Sequence, residues 1–240
     1  MKINVSIEAR MTSTRLPGKV MMPINGKVNL EIMVDRVKKS KLIDNIIIAT
    51  TTNKEDDIIV SWCEDNNIDY FRGSEDNVYD RVLKTHIKYK SDIIVELTGD
   101  CPLIDPTIID KAITMYNNND YDYISTGGNY PIGMGIQVYN IKVLKNISKN
   151  RKLEYQDMEH VTPYIYKSGK YHIGAITPKD TEFLNNLSVT LDTKEDFEVI
   201  ENICKNFGNF DFSLEDIVKF AKENPRLVLA NQEIQRKGLN

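Results

Sequence analysis

The chain has 240 residues, enough for one α/β domain with a substantial core. Lys and Arg number 31 against 35 Asp and Glu, a formal charge of −4, which argues against broad electrostatic binding to nucleic acid or an anionic membrane. No apolar run approaches the roughly 18 to 20 residues of a membrane helix, and the N-terminus lacks the apolar core of a signal peptide, so a cytoplasmic protein is expected.

A strand-like run over 3–7 feeds directly into Arg10-Met11-Thr12-Ser13-Thr14-Arg15-Leu16-Pro17-Gly18-Lys19. Three cations, Ser/Thr hydroxyls and a Gly within ten residues are what a loop needs to cradle a polyphosphate with backbone N–H groups and fixed charge. The spacing is neither that of a Walker loop nor G-x-G-x-x-G. Pro17 and Gly18 stiffen the turn that presents Arg15 and Lys19. Helical periodicity over 30–39, with Leu30, Met33, Val34 and Val37 on one face, is followed by a strand at 46–51 and a helix at 54–66. Then come Tyr70-Phe71, a helix at 77–90 and a strand at 93–97. This alternation predicts parallel strands joined by helical crossovers.

The next loop, Thr98-Gly99-Asp100-Cys101-Pro102-Leu103-Ile104-Asp105-Pro106, ends on a natural N-cap (Asp105) and a first-turn proline (Pro106). Ligands of open α/β sheets collect beyond the carboxyl ends of the strands, so this loop and the basic loop are expected to face one site. The second half is less regular. Gly127-Gly128 and 133–135 form a Gly-rich connection, strands are predicted at 136–139 and 171–176, and helices at 157–166, 194–204 and 214–222, with antiparallel additions to the sheet. No repeat or linker divides the chain, and one domain over 1–240 is expected.

Nucleoside triphosphate chemistry uses Mg²⁺, which takes one or two carboxylates together with phosphates and water. Asp100 and Asp192, each after an apolar run, are the candidates despite a separation of 92 residues. The alternatives are a turn-stabilising Asp100 and an Asp192 that caps the next helix, where Thr193-x-x-Asp196 resembles a capping box. Asp120-Tyr121-Asp122 precedes an apolar strand instead of following one and reads as a polar turn. The cysteines Cys63, Cys101 and Cys204 lack C-x-x-C spacing, and His86, His160 and His172 are scattered, so no disulfide framework, zinc site or His-based metal site is expected.

Five segments together resemble the CTP-dependent sugar nucleotidyltransferases, the family of acylneuraminate and 3-deoxy-manno-octulosonate cytidylyltransferases, and most closely its spore-coat polysaccharide biosynthesis branch. They are Glu8-Ala9-Arg10 through Lys19, Arg72-Gly73-Ser74-Glu75-Asp76-Asn77-Val78-Tyr79-Asp80-Arg81, Thr98 to Asp105, Glu159-His160-Val161-Thr162-Pro163-Tyr164, and Leu191-Asp192-Thr193. The resemblance implies a Rossmann-like nucleotide-diphospho-sugar transferase fold, with a mostly parallel sheet and helices on both faces. It also implies CMP transfer from CTP to a sugar acid or a sugar or polyol phosphate, with Arg10, Arg15, Lys19 and Asp100 catalytic. By the same carry-over, Ala9, Arg10, Ser13, Lys19, Ser74, Arg81 and Thr98 contact the nucleotide, Gln137, Glu159 and His160 face the acceptor, and Asp100 and Asp192 hold Mg²⁺. The family's second-half elements, here about 120–185, imply a homodimer and an acceptor pocket. One departure stands out: relatives of this branch carry P-D-G-L-D-V-E where this chain has Pro131-Ile132-Gly133-Met134-Gly135-Ile136-Gln137, losing three carboxylates. Two other readings follow: a glycosyltransferase of related fold that uses Asp120 and Asp122 on a nucleotide sugar, and a nucleotide-binding protein without catalysis.

Overall fold

The structure, a computed structural model, describes residues 1–127, 130–178, 187–226, 230–232 and 234. β1 (Ile3–Glu8), β4 (Asn45–Thr51), β5 (Asp69–Gly73) and β6 (Ile93–Thr98) are the parallel strands that the alternating pattern predicts. Between them run α1 (Asn29–Val37), α2 (Asp57–Asp65) and α3 (Val78–Lys88), and α4 (Pro106–Asn118) follows. A small hairpin, β2 (Pro23–Ile24) and β3 (Lys27–Val28), turns at Asn25-Gly26, both with positive φ. The Asn-Gly pair is the sequence signal for that turn.

The second half adds β7 (Tyr123–Ser125), β8 (Gln137–Asn140) and β9 (Ile173–Ala175), giving the order β5-β4-β1-β6-β8-β7-β9. β8 alone runs against its neighbours; β9 lies parallel to β7, so the antiparallel addition is narrower than expected. Five more helices complete the described chain: α5 (Ile141–Asn150), α6 (Tyr155–His160), α7 (Pro163–Lys167), α8 (Lys194–Phe207) and α9 (Leu214–Glu223). The single helix predicted over 157–166 is two. Val161 takes φ +64°, a costly backbone for a β-branched residue, and Pro163 opens α7. The run 187–191 is not a full strand; it bridges only Ile132 to Ser188.

Strand alternation separates two apolar layers. Ile3, Val5 and Ile7 of β1 and Ile93, Val95 and Leu97 of β6 join the layer of α1, α2, α4 and α8, whereas Ile94, Tyr123 and Tyr139 pack with α3, α5 and α7. On β1 the residues between the apolar ones, Asn4, Ser6 and Glu8, are polar, and Asn4 and Ser6 are fully buried. A strand covered on both faces ordinarily reads as a continuous apolar run, so this alternation already marks one face of the sheet as unusual. Arg36 pins the C-terminal region: it is buried and donates to the carbonyls of Ile104, Phe210 and Phe212.

Candidate active site

A cleft of about 900 Å³ opens at the carboxyl ends of β1 and β6, where the open-sheet argument places a ligand. Ala9, Arg10, Ser13, Arg15, Lys19, Arg81, Thr98, Asp100, Gln137, Glu159, His160 and Asp192 all line it. Ser74 does not; its hydroxyl accepts from the Asn77 N–H at the start of α3, and its carbonyl accepts from Arg81. Asp120 and Asp122 are outside the cleft too, tied to His172 in the turn before β7 through the Asp120 carbonyl and the Asp122 backbone and carboxylate.

The basic loop is closed by the Gly18 N–H on the Met11 carbonyl at 2.8 Å, and Gly18 takes φ +74°, a conformation that suits glycine. Its base is fixed by buried Asp56, which accepts from the Met11 N–H at 2.7 Å and from Thr51. At the entrance, Glu75 accepts from Arg10 at 2.9 Å and from Thr12 and Asn53; the Thr12 bond chiefly, then the Asn53 and Arg10 contacts, hold its carboxyl below the ordinary range.

The two separated aspartates meet. The Leu191 N–H donates to the Asp100 carbonyl at 2.7 Å, drawing segment 187–192 against the loop after β6. Thr193 and Asp196 form the capping box of α8, so Asp192 is not needed as a cap and faces the cleft. Lys19 Nζ lies 2.7 Å from a carboxylate oxygen of Asp100 and 2.7 Å from one of Asp192, and Arg15 reaches the other Asp192 oxygen at 2.8 Å. Burial works against charge on both Lys19 and Asp100. Their contact outweighs it, holding the lysine above its ordinary value and the aspartate below.

Sequence comparison gives this geometry a family. A cytidylyltransferase family model matches residues 5–234. The chain belongs to that family. The cytidylyltransferase is 37% identical over 239 residues to an uncharacterized protein of Methanocaldococcus jannaschii, covering 99% of this chain and 98% of that one. It is 37% identical over 227 residues to the spore coat polysaccharide biosynthesis protein SpsF of Bacillus subtilis, covering 91% and 93%. A solved cytidylyltransferase from Leptospira borgpetersenii superimposes with a TM-score of 0.91 at 31% identity, covering 98% of this chain and all of that one. The mixed sheet, mostly parallel with helices on both faces, is therefore this family's Rossmann-like fold.

The cytidylyltransferase site also contains residues that motif reading missed. Glu8 and Glu96 line the cleft beside Gln137. Glu96 accepts from the Tyr139 hydroxyl and, at 3.4 Å, from Gln137 Nε2; the Gln137 carbonyl oxygen accepts from Tyr123 at 2.8 Å and from Thr162. The bend at Val161 places that threonine. Glu159 and His160, 3.8 Å apart at the end of α6, line the cleft with Tyr155. Burial makes Cys101 inert by raising its thiol pKa, in keeping with a small loop residue.

Two carboxylates that converge on one ammonium mark a place where positive charge is favoured, and their hard oxygens suit Mg²⁺ when phosphates and water supply the remaining ligands. Asp100 and Asp192 thus fit the ion. Among the described residues no group of three or more His, Cys, Asp or Glu does so.

Proposed function

We propose that this cytidylyltransferase transfers CMP from CTP to a sugar acid or a sugar or polyol phosphate, dependent on Mg²⁺, as a step towards a surface polysaccharide or glycan. The observation that carries the reading is the Lys19 junction: a stiff basic loop, two aspartates and the cleft converge at one atom. In the reaction an acceptor oxygen forms a bond to the α-phosphorus of CTP. The bond from that phosphorus to the β-phosphate bridging oxygen breaks, and the electron pair leaves with pyrophosphate; a hydroxyl acceptor also gives up its proton to water.

Phosphoryl transfer depends chiefly on positioning and charge neutralisation. Arg10, Arg15, Lys19 and the N–H groups of their loop would bind the triphosphate and stabilise departing pyrophosphate. Ala9, Ser13, Arg81 and Thr98 line the same cleft and would contact the nucleotide. Asp100 and Asp192 would hold Mg²⁺, which when bound neutralises phosphate charge. Gln137, Glu159 and His160 would orient the acceptor. A homodimer built on second-half elements belongs to the same reading. So does a cytoplasmic location: among the described residues no helix is long and apolar enough to cross a membrane.

The test is pyrophosphate release with Mg²⁺ and each of the four nucleoside triphosphates against nonulosonic acids, octulosonic acids and small phosphate monoesters. A CTP-selective signal with one acceptor class is expected. CTP binding without release from any acceptor would favour a non-catalytic binding protein instead.

A further inference from the structure

Asp192 is presented by the segment 187–192, which pairs as a single parallel bridge and lies outside the seven-stranded sheet. Successive residues of a bridged, extended chain turn their backbone groups to opposite sides. The odd-numbered side is covered. The Val189 N–H donates to the Ile132 carbonyl at 2.7 Å, the Leu187 carbonyl accepts from the Ile132 N–H at 3.2 Å, and the Leu191 N–H meets the Asp100 carbonyl. The even-numbered side carries the Ser188 carbonyl and the Asp192 N–H, and among the described residues no strand lies against it. Buried backbone groups need partners, so something else has to supply them here.

Two side chains from further along the chain do so. One oxygen of Asp196 accepts from the Asp192 N–H at 3.1 Å and from the Thr193 N–H at 3.0 Å. Asn231 Nδ2 donates to the Ser188 carbonyl at 3.1 Å and to the other Asp196 oxygen at 2.8 Å. Ser188 is four residues before Asp192 and Asp196 four after, so a single amide group ties the segment on both sides of the aspartate. Asn231 is 1% exposed, Asp196 is fully buried, and neither lines the cleft.

The residue type fits the task. A carboxamide nitrogen carries two hydrogens in one plane, and both are used here. An aspartate would set a second carboxylate against Asp196, and a hydroxyl has one hydrogen to give. The Asn231 carbonyl oxygen is buried without a hydrogen-bond partner among the described residues, so the amide is held for its donors. Taking the cytidyl-transfer reading as given, we infer that Asn231 is a positioning residue for Asp192. Its amide orients the Asp196 carboxylate and anchors Ser188, and these two fix the backbone from which Asp192 reaches Lys19 and Arg15.

The experiment crosses Asn231→Ser with Asp192→Asn in the full chain. Serine keeps one donor in the buried site, and circular dichroism gives the folded fraction. Asn231→Ser should lower kcat about tenfold per folded molecule while KM for CTP changes by less than about twofold. In the Asp192→Asn background the same substitution should change kcat by less than about twofold, because the group it positions is already gone. Without nucleotide, hydrogen–deuterium exchange read by mass spectrometry should be about tenfold faster over 187–196 in Asn231→Ser and unchanged in β1 and β6. In the wild-type protein, labelled with ¹⁵N-asparagine, the Asn231 side-chain hydrogens should exchange slowly by NMR, a readout that does not depend on the variant folding. An unchanged kcat per folded molecule, the same loss in both backgrounds, unchanged exchange over 187–196, or rapid exchange of the Asn231 amide would each overturn the inference. No pyrophosphate release from CTP by the wild type would instead overturn the cytidyl-transfer reading, and the two exchange measurements would still decide whether Asn231 holds the segment.

Discussion

Replacing Lys19 by Met removes the cation from between Asp100 and Asp192 while keeping most of the side-chain volume. The lysine side chain is 11% exposed, against 24% for Asp100 and 12% for Asp192. Breaking a fully buried pair costs roughly 3–5 kcal/mol. Here the cleft admits water and Arg15 still holds Asp192 at 2.8 Å, which reduces the cost to about 2 kcal/mol. For a chain of this size that is a fall of about 4–8 °C in Tm. The two carboxylates, no longer neutralised by the ammonium, should then bind divalent cation more tightly. Differential scanning fluorimetry without nucleotide should show Mg²⁺ raising the Tm of Lys19→Met more than that of the wild type, each tenfold gain in affinity adding about 1.4 kcal/mol at saturation. Turnover with CTP should fall about 10²-fold or more if, as proposed, the lysine meets the phosphates. An unchanged Tm together with an unchanged Mg²⁺ response would refute the argument that Lys19 holds the two aspartates.

Glu75→Gln weakens the hold on Arg10 and Thr12 and should raise KM for CTP about tenfold with a smaller effect on kcat, in steady-state assays. The Glu96 carboxyl keeps its proton to about 8 in the folded protein, against 4.5 ordinarily; the folded state binds more protons between those values, so stability falls as pH rises through the window. Glu96→Gln should flatten that slope, visible as a smaller Tm difference between pH 5 and pH 8. Asp100 has the opposite sign: its lowered value contributes stability above the ordinary 3.8 that is lost as pH falls below it. Gly133→Ala forces a Cβ to within 2.6 Å of the Thr190 backbone at φ +100°, and should cost about 2 kcal/mol or more and disturb turnover by displacing the segment that carries Asp192. Arg36→Met strands two buried carbonyls and a part-buried one and should destabilise by about 3 kcal/mol in urea unfolding.

The parallel half of the sheet was legible because each crossover repeats an apolar face, as in Leu30, Met33, Val34 and Val37 of α1, and because Asp105 and Pro106 mark the start of α4 as N-cap and first-turn proline. The basic loop was legible from composition alone. The convergence of Asp100 with Asp192 was visible only as two carboxylates after apolar runs; what joins them is the long-range bond from the Leu191 N–H to the Asp100 carbonyl, which no local pattern encodes. The break at Val161 was hidden for a similar reason, since tertiary packing pays for its backbone strain. Glu8 and Glu96 carry a fainter signal: a carboxyl at the polar positions of strands whose other residues are buried. Ser74 drew notice through its motif, yet its hydroxyl serves the turn into α3.

The aspartate pair is the centre of the proposed cytidyl transfer. Its decisive measurement is pyrophosphate release from CTP by Asp100→Ala beside the wild-type protein, at matched Mg²⁺ and acceptor, with circular dichroism confirming that the variant is folded. Loss of turnover by a factor of about 10³ or more in a folded variant is the predicted result. Activity retained within tenfold would contradict it.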